Sequence, residues 1–144
     1  MIKIAVTTRK ISNPIYKESY NAISDSWLKY FDKIKLDPIL FTDKIKNPVN
    51  LFNKINCSAL ILLNGEDTKL KIKNNKFLNG SNRDFVEYKL VKNCIKKKLP
   101  ILGICRGHQF LNVFFGGKLK KTKKHVNVKH KIDIIDQDFI KKFN

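Results

Sequence analysis

"LPILGICRGHQFLNVFFGG" (residues 99–117) decides the fold. A short apolar run, residues 99–102, enters a turn that carries Gly103, Cys105 and Gly107. An amphipathic segment leaves the turn and stops at Gly116 and Gly117. An apolar run followed at once by a helical pattern reads as a strand buried on both faces and the helix that packs back over it. The two glycines stand two positions either side of the cysteine, the G-x-nucleophile-x-G spacing of a nucleophile elbow, with cysteine where other hydrolases carry serine. A strand running straight into a helix strains the backbone of the central residue, and small neighbours prevent clashes there. That strain points the central side chain out over the sheet edge. The helix N-terminus places partial positive charge beside the sulfur, as a thiolate nucleophile needs. The N–H of Arg106 then falls where an oxyanion would form. Cys105 is therefore the candidate nucleophile.

Outward from this stretch, strand-like and helix-like segments alternate. "IKIAVTT" (2–8) reads as a strand and "NPIY" (13–16) as a turn or loop. "YKESYNAISDSWLKYFDKI" (16–34) reads as a helix, with Tyr20, Ile23, Trp27, Tyr30, Phe31 and Ile34 recurring at three- and four-residue steps as a core-facing stripe. "DPILFT" (37–42) is a short strand, and "PVNLFNKI" (48–55) a short helix with proline in its first turn. "SALILL" (58–63) is a second doubly buried strand, ending in "NGEDT" (64–68). Residues 69–81 read as a polar loop with a weak strand or turn in it. "NRDFVEYKLVKNCIKKK" (82–98) is a helix with Phe85, Leu90, Val91 and Cys94 or Ile95 inward. Beyond the opening stretch, "HVNVKHKIDII" (125–135) alternates as a strand, and "DQDFIKKFN" (136–144) opens another helix with Asp136 as its cap. No repeat or linker interrupts the chain, so residues 1–144 read as one domain. The fold expected is a three-layer α/β sandwich with a mainly parallel sheet. Such sheets place their sites at the carboxyl ends of strands. "NGEDT" and "GICRG" both qualify.

Composition sets the remaining bounds. A chain of 144 residues with 42% hydrophobic and 29% charged residues can bury a core and is not a disordered composition. Its apolar runs are too short to cross a bilayer, and its N-terminus lacks a signal-peptide pattern, so a cytoplasmic protein with no membrane partner is expected. Three cysteines without paired spacing exclude a disulfide framework and an all-cysteine zinc site; neither metal nor cofactor is expected. Cys57 and Cys94 read as packing residues. The net charge is +18, yet only Arg9, Arg83 and Arg106 are arginine. Arginine is the preferred reader of phosphates and bases, so the scattered lysines read as solvated faces and no specific nucleic-acid partner is expected. The densest cluster, "KLKKTKKH" (118–125), could still attract an anionic substrate.

The segment "LPILGICRGHQFLNVFFGGKL" resembles the nucleophile segment of the class I glutamine amidotransferase-like superfamily, and within it the γ-glutamyl-γ-aminobutyrate hydrolase-like branch, the C26 peptidases. "NRDFVEYKLVKNCIKKKLP" is similar to that branch's helix with an Arg-Asp pair and a downstream Glu. "SALILLNGEDT" is similar to its apolar strand and glycine-rich turn, and "IAVTTRK" with "YNAISDSWLKYF" fits its opening strand and first helix. The resemblance implies a flavodoxin-like sheet and amide chemistry on a γ-glutamyl group. Cys105 would attack the γ-carbonyl, form a γ-glutamyl thioester and release an amine, and water would hydrolyse the thioester. The N–H groups of Gly65 and Arg106 take the two oxyanion-hole places, and Gln109 falls on a position near the polar atoms of the glutamyl group. Asn64-Gly65 stands where the family usually has two glycines. Arg83, Asp84 and Glu87 fall on the helix before the nucleophile, where caps and salt bridges are the default role. The small-molecule substrate implied is a γ-glutamyl amide, with γ-glutamyl-aminobutyrate and a γ-glutamyl nucleotide amidate as the choices. The alternatives are the glutaminase subunit of an amidotransferase with a synthase partner, and an inactive or regulatory relative.

A cysteine hydrolase also needs a base and a group to orient it. His108 lies three residues past Cys105, in the first helical turn, and packing is its default role. His125 and His130 fall on or beside the strand after the nucleophile helix. The family's catalytic histidine and acidic partner come tens of residues further on, and the sequence has no His-x-Glu. Three expectations follow: a fragment of a longer enzyme, with the sheet incomplete at its C-terminal end; a degenerate relative; or a base supplied by a partner chain. In each, the isolated chain is a poor hydrolase. An open sheet edge would also favour homo-oligomers.

Overall fold

The computed structural model describes residues 2–121, 128, 129 and 131. In chain order these form β1 (Ile2–Thr7), a hairpin of β2 (Arg9–Asn13) and β3 (Glu18–Ala22), α1 (Asp25–Lys33), β4 (Leu36–Phe41), α2 (Pro48–Ile55) and β5 (Ala59–Leu62). A second hairpin, β6 (Lys71–Lys73) and β7 (Lys76–Asn79), precedes α3 (Asn82–Lys96), β8 (Ile101–Gly103) and α4 (Arg106–Phe114). The central sheet has the order β4-β1-β5-β8, and every pairing in it is parallel. Together with its helices this is the three-layer α/β architecture expected.

The period-two alternation of the strands sorts the layers. Ala5, Leu60 and Leu62 point to one face, where they pack with Phe52, Val86, Leu90, Val91 and Phe110 of α2, α3 and α4. Ile4, Val6, Ile61 and Leu63 point to the other, where α1 lays Phe31 and Trp27 on them. Cys57 and Cys94 are buried in the first of these cores, as packing residues. On the α1 side, Trp27, Tyr30, Leu102 and Ile104 flank an open apolar cleft of about 530 Å3 beside β8, an outermost strand of the sheet among the described residues.

Three expectations need correction. The run at 99–102 is not buried on both faces: β8 is an outermost strand of the sheet among the described residues, and Leu102 is 54% exposed. The stretch 16–34 is not one helix. Its first part is β3, paired with β2 so that Tyr20 sits opposite Ile11, and Tyr20 is 47% exposed rather than core. Asn13 forces the reversal: its side-chain oxygen accepts from the N–H groups of Ile15 and Tyr16 at 3.0 and 3.3 Å, an Asx turn, and Lys17 takes a positive φ of 53°. The helix begins only after Ser24, whose hydroxyl caps the N–H of Ser26. On α3 the inward set is Val86, Leu90, Val91 and Cys94, while Phe85 and Ile95 are 41% and 45% exposed. The loop at 69–81 holds a hairpin whose two turn residues, Asn74 and Asn75, both have positive φ, as a tight reversal of that hand requires. The helix expected over 136–144, and the strand expected over 125–135 apart from residues 128, 129 and 131, lie outside the described residues.

Candidate active site

Cys105 occupies the N-cap of α4 with φ 54° and ψ −109°, a strained conformation for a residue with a side chain. The glycines around it are packing requirements. A Cβ on Gly107 would run into the Leu62 carbonyl group, and one on Gly103 would stand 2.6 Å from the Gly107 carbonyl oxygen. The helix can therefore lie directly on β5 and β8, and Cys105 is lifted to the surface, where it is exposed. The N–H of Gly107 bonds the Ile104 carbonyl at 3.0 Å and that of Gln109 the Cys105 carbonyl at 3.1 Å, which closes the turn on both sides.

Cys105 shares a cleft of about 540 Å3 with Arg9, Lys10, Ile11, Asn64, Gly65 and Glu66. Gly65 has φ +153°, and an added Cβ would collide with the side chains of Arg83 and Arg9. Asn64 itself does not take a positive φ, so this turn needs only one glycine. Among the described residues, the N–H groups of Gly65 and Arg106 have no hydrogen-bond acceptor. The structure thus brings Cys105, Gly65 and the start of α4 together. Gln109, half-buried one turn along, and His108, exposed, do not line this cleft. His125 and His130 lie outside the described residues.

Under the cleft lies a buried charge network. The Arg83 guanidinium donates to the carbonyls of Leu63 at 2.9 Å and Asn64 at 3.3 Å, and pairs with Glu66 at 3.0 Å and Glu87 at 2.9 Å. Arg106 pairs with Glu87 and, at 2.6 Å, with Asp84, and its Nε donates to the Glu66 carbonyl at 3.1 Å. The Thr7 hydroxyl completes Glu87 at 2.7 Å. Asp84 forms a capping box with Ser81 and also accepts from Thr68 and Lys69. Burial pushes the Asp84 carboxyl up, but the hydrogen bonds from Thr68 and Ser81 and the Arg106 charge outweigh it and hold it below the usual range. Caps and salt bridges are thus what Arg83, Asp84 and Glu87 form, but in the interior rather than on a solvated face. Their effect is to fix the 63–66 backbone against the elbow.

The sequence reading missed the cleft wall at Arg9, Lys10 and Ile11. Its signal was Asn13-Pro14 between two short strand-like runs, a hairpin mark just past the carboxyl end of β1. Among the described residues, no group of three or more His, Cys, Asp or Glu side chains is placed to hold a metal ion, and no helix is long and apolar enough to cross a membrane.

The sequence profile of the Peptidase C26 family matches residues 59–142. The chain is similar to the γ-glutamyl-CDP-amidate hydrolase of Campylobacter jejuni, with 30% identity over 95% of this chain and 66% of that one. It is 60% identical over 37 residues to a putative glutamine amidotransferase of Schizosaccharomyces pombe, covering 26% of this chain and 15% of that one. It is 36% identical over 86 residues to a putative glutamine amidotransferase-like protein of Lactococcus lactis, covering 57% and 35%. The chain spans less than two thirds of the length of these relatives.

Proposed function

We propose that this chain, which belongs to the Peptidase C26 family, carries the nucleophile and oxyanion hole of a γ-glutamyl amide hydrolase. The observation that supports it most is Cys105 itself: exposed, strained, at a helix N-terminus and facing a cleft shared with Gly65. The Cys105 sulfur attacks the γ-carbonyl carbon, and the carbonyl electrons move onto oxygen, whose negative charge accepts hydrogen bonds from the N–H groups of Gly65 and Arg106. The oxyanion collapses, the C–N bond breaks and the amine leaves with a proton. Water adds to the γ-glutamyl thioester, and its collapse returns glutamate and the free thiol. Gln109, half-buried one turn behind Cys105, does not line the cleft, so its role at the glutamyl group's polar atoms rests on the family resemblance alone. Proton transfer is assigned to none of the described residues, since the one described histidine, His108, does not line the cleft.

The substrate favoured is a γ-glutamyl nucleotide amidate, because the relative matched over 95% of this chain is named for one. The glutaminase reading, with a synthase partner to take the ammonia, has the amidotransferase-like relatives behind it. Acyl trapping separates these. With a γ-glutamyl nucleotide amidate, the Cys105 peptide should gain a γ-glutamyl mass, and Cys105→Ala should lose the adduct together with the slow turnover of the chain. A greater yield with glutamine would favour the glutaminase. Turnover that survives Cys105→Ala would sink both.

A further inference from the structure

Of the three arginines, two are spent inside the protein on carboxylates, and the third is not. Among the described residues Arg9 makes no ion pair, and its Nε is buried without any hydrogen-bond partner. A buried guanidinium N–H left unmade is costly, and native structures rarely leave one without a reason. Arg9 is also held in place. It opens β2 directly after Thr8, whose N–H bonds the Phe41 carbonyl at 3.1 Å and whose hydroxyl reaches the Asn21 side chain at 3.1 Å. The stem of Arg9 packs on Gly65: a Cβ there would lie 2.8 Å from the Arg9 Cβ. The side chain therefore lines the same cleft as Cys105. The acid of that cleft, Glu66, is tied to Arg83 at 3.0 Å.

We propose that Arg9 is the anion anchor of this cleft, taking an oxyanion group of the substrate, carboxylate or phosphate, on its guanidinium. A guanidinium offers two parallel donors that match either group, which an ammonium such as that of Lys10 does not. The proposal rests on the hydrolase reading for the word substrate. Its test does not need turnover.

Native protein is alkylated at Cys105 with iodoacetate, an anion, and with iodoacetamide, its neutral counterpart, and the modified peptide is followed by mass. At physiological ionic strength the screening length is about 8 Å, so distant lysines add little. The rate ratio of iodoacetate to iodoacetamide falls about 3–10-fold in Arg9→Gln, and less in Lys10→Gln. Arg9→Lys, which keeps the charge and the stem, serves if the glutamine variant fails to fold, and should lose the protection described next. Protection of unsubstituted protein from iodoacetate by L-glutamate assigns the carboxylate, and protection by inorganic phosphate assigns the phosphate. A ratio unchanged in Arg9→Gln, an equal fall in Lys10→Gln, or protection by neither anion overturns the proposal. A lowered ratio in a chain that forms no γ-glutamyl thioester would contradict the hydrolase and leave the anion site standing.

Discussion

Cys105 differs from the other two cysteines in exposure and in backbone conformation. Cys57 and Cys94 are buried among apolar side chains, and burial pushes both thiols up, Cys94 to about 11. Cys105 is exposed at a strained turn. At neutral pH an aromatic disulfide reagent should therefore titrate one of the three thiols in the native chain and all of them after denaturation. More than one fast native thiol would contradict this packing. The same scale shows what the sequence made legible. Glycine spacing around Cys105 depends only on local sterics, so it could be read directly. The burial of Arg83, Asp84 and Glu87 could not, because charged residues on a helix are solvated by default and only the tertiary arrangement reveals their partners.

At the scale of elements, the strand–turn–helix unit of β8 and α4 depends on how closely the helix lies on β5. Gly107→Ala would drive a methyl group into the Leu62 carbonyl, so α4 would have to lift. The expected cost is about 1–3 kcal/mol, as for overpacked cores, with slower alkylation of Cys105. Urea unfolding and thiol kinetics check the two effects, and a neutral substitution would mean that the helix is free to move. The doubly buried strand β5 was readable from its continuous apolar run and the extent of α3 from its helical pattern, whereas the exposure of Leu102 on β8 and of Phe85 and Ile95 on α3 depends on what packs over them. The 16–34 stretch misled because Tyr20 and Ile23 continue the spacing of Trp27 and Phe31 by chance across a hairpin strand and a cap. Ser24 before an acidic first turn marked the true start of α1.

Across the whole molecule, one charge network joins β1, the loop after β5, α3 and α4. Glu87 is its hub, held by Thr7, Arg83 and Arg106 with no exposure to solvent. Glu87→Ala would leave two buried guanidinium groups short of charge, and a loss of about 3–5 kcal/mol is expected in urea unfolding. A change near zero would mean that water already fills the site. Asp84 adds a pH dependence with a definite sign. Its folded-state carboxyl titrates below the ordinary value of 3.8, so its contribution is present above that pH and is lost as pH falls through the lower folded value. The urea midpoint of the unsubstituted chain should drop on that acid limb, and Asp84→Asn should flatten the drop while lowering stability near neutrality. An identical acid limb in the variant would assign the effect to other carboxylates. The caps and salt bridges within α3 were expected, but the joining of Thr7, Glu66 and Arg106 to them could not be read in advance, because those members come from elements whose adjacency only the fold creates.

The central claim is that Cys105 is a nucleophile built to meet a γ-glutamyl carbonyl. Incubation with diazo-oxo-norleucine, an electrophile shaped like glutamine, followed by peptide mass analysis, tests it most directly. The account predicts a single adduct, on Cys105, with Cys57 and Cys94 unmodified. No adduct at Cys105, or one that forms equally on all three cysteines, would contradict it.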